Sequence, residues 1–177
     1  MKLSNLRIGC DKFPESTALS SEVFIDANIF LYHIMRRPKF FPPCHEFFTA
    51  IESGAYNGFT STLVLNEVLH KLILAEATNT YGLRSEHDAA SILKLDPAKI
   101  RGLSQVWKAY SDIKEYPIII CSCDEAVLDM AIDLSNKYGL LISDATHLAV
   151  IKSEGISNIA TNDTDFQRLN EIDVYKP

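Results

Sequence analysis

Apolar residues along this chain recur with two periods that alternate from one end to the other. Val23 to Ile25 is a short apolar run ending at Asp26, and from Asn28 to Met35 the apolar positions fall at helical spacing, so a strand passes directly into a helix. Pro38, Pro42 and Pro43 interrupt the pattern. Pro43 suits the first turn of a second helix, continued by Cys44 to Glu52 and closed by Gly54. Phe59, followed by Thr60, Ser61 and Thr62, reads as a strand end and an N-cap, and Leu63 to Ala77 returns to helical spacing with Glu67 among the apolar positions. Residues 78 to 96 are more polar, with room for a connection and a short helix from Ser85 to Leu93. Asp96-Pro97 predicts a further helix start, running to about Glu115. Pro117 to Cys121 is a β-branched strand. Ser122 or Cys123 then opens a helix to Tyr138, terminated by Gly139. Leu140 to Ile142 is too short to assign, whereas Ser143 predicts the cap of a helix from Asp144 to Ser153, stopped by Gly155. The chain closes with a strand at Asn158 to Ala160, a turn at Thr161 to Thr164, a helical turn after Asp165 and a last strand near Val174.

Strands separated by helices predict an α/β protein: a three-layer α/β/α sandwich with a mainly parallel central sheet, because parallel neighbours need long crossovers. Ligands in such sheets gather beyond the carboxyl ends of the strands. Asp26, and the Asp163 and Asp165 pair, follow strands at that edge, while Glu67 and Asp144 lie in the first or second turn of helices able to face it. No internal repeat or second domain is visible. Residues 1 to 22 read as an extension before a domain of residues 23 to 177.

Composition narrows the function classes. The apolar fraction of 47% and charged fraction of 23% are those of an ordinary globular protein. A formal net charge of -6 opposes general attraction to nucleic acid or an anionic membrane, so a polyanionic substrate requires a local basic patch or bridging metal ions. Cys10, Cys44, Cys121 and Cys123 form no disulfide framework, no secretory leader is recognisable, and no stretch approaches the roughly 20 apolar residues that span a bilayer, so a reduced, cytoplasmic setting is expected. Cys121-x-Cys123 resembles half a zinc site but has no second pair.

The acids stand out because they end apolar runs or sit on helices facing that edge. Ionised carboxylates withdrawn from water lose more than neighbouring apolar groups gain unless something cationic collects them, so several converging acids imply a divalent cation or raised pKa values. Each acid alone has a plainer reading. Asp26 could cap a helix, Asp144 could complement a helix dipole, Glu67 could close a capping box, and Asp163 and Asp165 could make turn hydrogen bonds. All four plain readings must hold together to displace a metal site of magnesium or manganese. His147 shares roughly the face of Asp144, and the remaining histidines form no ligand pattern. No Ser/His/Asp or Cys/His grouping supports covalent catalysis. Arg36, Arg37 and Lys39 are the clearest basic cluster, either an RNA-backbone contact or a solvated helix end; Lys94, Lys99 and Arg101 are a weaker one.

Four segments together resemble the PIN domain family, the metal-dependent ribonuclease fold of VapC-type toxins. They are F-I-D-A-N-I-F around Asp26, N-E-V at Glu67, S-D-A-T-H-L-A at Asp144, and T-N-D-T-D-F at Asp163 and Asp165, in that order over residues 23 to 175. The resemblance implies direct ligation of Mg2+ or Mn2+ by Asp26 and Asp144, direct or water-mediated ligation by Glu67, and recruitment of a second ion by Asp163 with support from Asp165. Asn28 and Thr161 would orient carboxylates through hydrogen bonds. It further implies an endoribonuclease acting on single-stranded or loop RNA, a homodimer, and a small antitoxin partner if the chain is a toxin. A catalytically silent scaffold in an RNA-processing complex is the alternative from another class.

Overall fold

The computed structural model describes residues 21 to 177. β1 (Ser21–Ile25) lies at the centre of a five-stranded sheet of order β3-β2-β1-β4-β5, in which every neighbouring pair is parallel. Val23, Phe24 and Ile25 are all buried, as a central parallel strand covered on both faces requires. α1 (Ala27–Ile34) and α2 (Phe41–Glu52) cross from β1 to β2 (Tyr56–Ser61). α3 (Thr62–Thr80), α4 (Glu86–Leu95), α5 (Ala98–Arg101) and α6 (Gln105–Glu115) lead to the edge strand β3 (Ile118–Cys121). α7 (Glu125–Tyr138) and α8 (Ile142–Ser153) cross back to β4 (Asn158–Ala160), on the other side of β1, and a 3-10 turn (Asp165–Arg168) leads to β5 (Asp173–Tyr175). The sheet is thus wound outward twice from β1. Its switch point lies between β1 and β4, the place where open α/β sheets leave a crevice at the carboxyl edge.

One core joins the layers. Phe24 pairs in register with Phe59 of β2 and Ile159 of β4, and Phe30, Phe47, Phe48, Leu148 and Ile151 fill the space between sheet and helices. Gly139 takes a left-handed φ of 63°, ending α7 so that α8 can fold back along it.

Three local expectations are corrected. The helix expected from Asp96 to Glu115 is two helices, because the carboxylate of Glu76 on α3 accepts the backbone N–H groups of Ser104, Gln105 and Val106 at 2.8, 3.0 and 2.8 Å. Those N–H groups are the free donors of a helix start, so α6 begins there, and buried Leu103 is drawn into the core just before it. Ser143 is not a cap: α8 opens at Ile142, after an extended Leu141, and the serine lies inside the first turn. β1 begins at Ser21, two residues ahead of the apolar run, while residues 1 to 20 of the expected extension lie outside the described residues. Among the described residues, no helix is long and apolar enough to cross a membrane.

Candidate active site

Asp26 is the first residue past β1, and its backbone N–H still donates to Ala160 of β4 at 3.1 Å. That pairing holds the ends of β1 and β4 side by side. Only 7% exposed, Asp26 is a buried carboxylate supplied with donors. Oδ1 accepts the Ala27 N–H at 2.6 Å, and Oδ2 accepts from the Thr161 hydroxyl at 2.6 Å and from the Asn28 amide. It is also the N-cap of α1, so the plain capping reading and a place in the acidic cluster hold together. Thr161 in turn accepts from the Asn28 amide and from the backbone of Asp163, each at 3.0 Å. Asn28 uses its oxygen to accept the Asn162 N–H at 3.0 Å, and Asp163 accepts the Asp165 N–H at 2.8 Å. The T-N-D-T-D turn is therefore stitched to the start of α1 by side chains.

Glu67 and Asp144 reach the same place from two helices. Ser61 caps α3 by accepting from Val64 at 3.2 Å, which leaves Glu67 in the second turn and outside any capping box. Burial pushes its carboxyl above the ordinary 4.5, Asp26 adds to the rise, Lys71 one turn along opposes it, and Asp163 raises it further. Asp144 is the third residue of α8, where a helix dipole would favour its ionised form. Its pKa nevertheless stands above 3.8, first through burial and then through Asp163, with His147 opposing and Asp165 and Asp26 adding to the rise. Two acids on different helices thus each feel the charges of Asp26 and Asp163.

His147 was legible as a neighbour of Asp144 but not in its setting. The ring is 2% exposed, tilts against Phe24 at 6.0 Å, and leaves Nδ1 without a hydrogen-bond partner among the described residues. Burial lowers its pKa, while Asp26, Asp144 and Asp163 pull the other way. Asn162 was also missed. It precedes Asp163 and donates from its side chain to the Tyr32 hydroxyl at 3.1 Å; the only sequence sign was its position within T-N-D-T-D.

Arg36, Arg37 and Lys39 are exposed beyond the last turn of α1, about 12 Å along the helix axis from Asp26 at 1.5 Å per residue. Burial pushes the Cys121 thiol up to about 11, so the free thiol holds its proton.

Among the described residues, no three His, Cys, Asp or Glu side chains form a ready-made ligand group. The candidate acids nonetheless offer only carboxylate oxygens, and Glu67 and Asp144 keep raised pKa values despite Lys71 and His147, which suits a hard cation that keeps several waters rather than zinc in a closed cage.

The sequence matches the PIN domain over residues 23–172. The chain belongs to the PIN domain family. Curated PIN-domain relatives include Ribonuclease VapC2 of Methanocaldococcus jannaschii, 23% identical over 157 residues that cover 88% of this chain and 94% of the relative. Ribonuclease VapC6 of the same organism is 25% identical over 158 residues, covering 88% and 97%. Among solved structures, Mycobacterium tuberculosis VapC20, described as a Sarcin-Ricin loop cleaving toxin, superposes with a TM-score of 0.58 at 15% identity over 86% of this chain and 98% of that one. A toxin-antitoxin complex from Klebsiella pneumoniae gives 0.54 at 15% identity, covering 85% and 94%. At those identities the structures establish the PIN fold.

Proposed function

We propose that this PIN domain is a metal-dependent endoribonuclease that hydrolyses RNA phosphodiester bonds, and that it is the toxin of a toxin-antitoxin pair. The observation that carries the reading is the shared field of Asp26, Glu67, Asp144 and Asp163 at the switch point, where Asp26 and Asp163 both raise Glu67 and Asp144. Near full-length similarity to two proteins named as VapC ribonucleases supports the ribonuclease reading, and the toxin and toxin-antitoxin complex among the structural neighbours support the toxin reading.

In this reading Asp26, Glu67, Asp144 and Asp163 hold Mg2+ or Mn2+, with Asp165 beside them. The cation, when bound, supplies a water of lowered pKa and neutralises charge that builds on the phosphate. The protein supplies the rest. Thr161 and Asn28 fix the Asp26 carboxylate through three hydrogen bonds centred on Oδ2 and the threonine hydroxyl, leaving it little freedom to turn. Ser61 fixes the start of α3 and so the height at which Glu67 enters. Arg36, Arg37 and Lys39 hold RNA phosphates beside an acidic floor that would otherwise repel them. A small antitoxin would occupy the crevice. A homodimer would cover Leu128 and Ile132, one turn apart on α7, with Leu141 and Ile142 at the start of α8, four apolar side chains 48 to 74% exposed.

Purified protein should cleave single-stranded RNA with magnesium or manganese and stop in EDTA, and Asp26→Asn should abolish cleavage while the fold persists. Cleavage that survives both EDTA and the substitution would defeat the proposal. RNA binding without turnover in the parent would favour the scaffold alternative.

A further inference from the structure

The turn after α1 folds back on the helix in an unusual way. Arg36 is the one described non-glycine residue with a positive φ, 49°, and the Arg37 carbonyl accepts the N–H groups of Phe40 and Phe41 at 2.9 and 2.7 Å. The reversal lays the Phe40 ring flat on Tyr32, with centroids 4.2 Å apart and planes 14° from parallel. The Lys39 ammonium lies over the Phe40 ring, 4.9 Å from its centroid. Tyr32 packs against the core, whereas Phe40 is half-buried and stands outside that cluster. Phe40 therefore stacks on Tyr32 and carries the exposed Lys39 ammonium over its ring.

This stack is tied to the acidic site. The Tyr32 hydroxyl accepts from the Asn162 side chain at 3.1 Å, and Asn162 immediately precedes Asp163 and donates its own N–H to Asn28. The order Asn162, Tyr32, Phe40, Lys39 is a continuous column from the carboxylate turn to an exposed cation. Single-stranded RNA is gripped by stacking of unpaired bases on aromatic side chains together with cations on the backbone. Both elements are present here, at a fixed place relative to Asp163.

We propose that Tyr32, Phe40 and Lys39 form a subsite for one unpaired nucleotide of single-stranded RNA, flanking the acidic site. The base stacks on the outer face of Phe40 in place of the Lys39 ammonium, and Lys39 moves to the adjoining phosphate. Duplex RNA, whose bases are not free to leave the stack, cannot use this subsite. The assignment rests on the ribonuclease reading for its ligand, but it concerns binding and is tested as binding.

The test uses full-length protein carrying Asp144→Asn, so that RNA stays intact, in magnesium, with single-stranded oligoribonucleotides bearing 2-aminopurine at successive positions. Cleavage by the parent is measured alongside. One position should show stacking quench, and Phe40→Leu should remove that quench and weaken binding about tenfold. Phe40→Trp should restore both, which a role in packing alone would not predict for an enlarged side chain. Lys39→Gln should lower the salt dependence of binding by about 0.7 in slope. Binding and quench unchanged in Phe40→Leu, with the parent still cleaving RNA, would overturn the subsite and leave the nuclease intact. A parent that neither binds nor cleaves RNA would overturn both.

Discussion

The Thr161 hydroxyl donates to Asp26 Oδ2 at 2.6 Å, joining residues 135 apart in sequence across the switch point of the sheet. The threonine oxygen accepts from Asn28 and from the Asp163 backbone, so one side chain ties the Asp26 carboxylate to the Asp163 turn. Thr161→Val keeps the shape but removes one donor from Asp26 Oδ2 and the hydroxyl acceptor of the Asp163 N–H. It should cost about 1–3 kcal/mol of stability in chemical denaturation and reduce cleavage further than that loss of folded protein explains. Full activity per folded molecule would show that Asp26 needs no such orienting group.

The raised pKa values of Glu67 and Asp144 have a definite sign in stability. Between the ordinary values of 4.5 and 3.8 and their raised folded values, the folded chain binds more protons than the unfolded one. Stability in EDTA should therefore fall as pH rises through that window and stay lower above it. His147, with a lowered pKa, acts oppositely: it loses stability as pH falls below about 6.5. Asp144→Asn removes one repelling charge, so the variant should melt higher than the parent in EDTA at pH 7 and gain less from added magnesium. Equal magnesium shifts in melting temperature for parent and variant would separate Asp144 from any metal site.

Glu76 makes a different prediction, since it stands apart from the acidic cluster. One carboxylate satisfies three helix-start N–H groups of α6, and an amide has only one acceptor oxygen for them. Glu76→Gln should destabilise the chain by about 1–3 kcal/mol and speed hydrogen exchange at Ser104, Gln105 and Val106, with cleavage per folded molecule unchanged. Unaltered exchange at those amides would mean that α6 does not depend on this carboxylate.

Changing Arg36, Arg37 and Lys39 together to Gln should weaken RNA binding and flatten its salt dependence by about 2 in slope, close to 0.7 for each cation lost. An unchanged slope would assign the cluster to solvent.

Where a pattern is local, the sequence carried it. The strand into Asp26, a cap among Thr60 to Thr62, the Gly139 stop and the strand at Asn158 to Ala160 each rest on neighbouring residues, and the structure has them there, with Ser61 as the cap. The errors arise where a distant group decides. The break before α6 is made by Glu76, 28 residues away from Ser104, and no local signal in Gly102 to Ser104 outweighs the helical spacing around it. The start of α8 was misjudged because Ser143 is a good cap residue, yet the extended Leu141 lets the helix begin earlier. The candidate acids stand out in the sequence because separated carboxylates that end apolar runs or share a sheet edge are costly unless something gathers them. The column through Asn162 and Tyr32 was not, since nothing in the spacing of either residue signals that a turn of β4 will meet the second turn of α1.

The winding of the sheet also sets the order in which the site comes into being. Asp26 stands near the start of the described chain, but its partner Thr161 and the Asp163 turn follow β4, which joins β1 only after α7 and α8 have crossed back. Contacts this far apart close late, because the intervening loop must be ordered first. During synthesis, a growing chain that has emerged as far as α8 already carries Asp26, Glu67 and Asp144, yet lacks the strand that aligns them. The acids of such a chain come together only once β4 has left the ribosome and paired with β1.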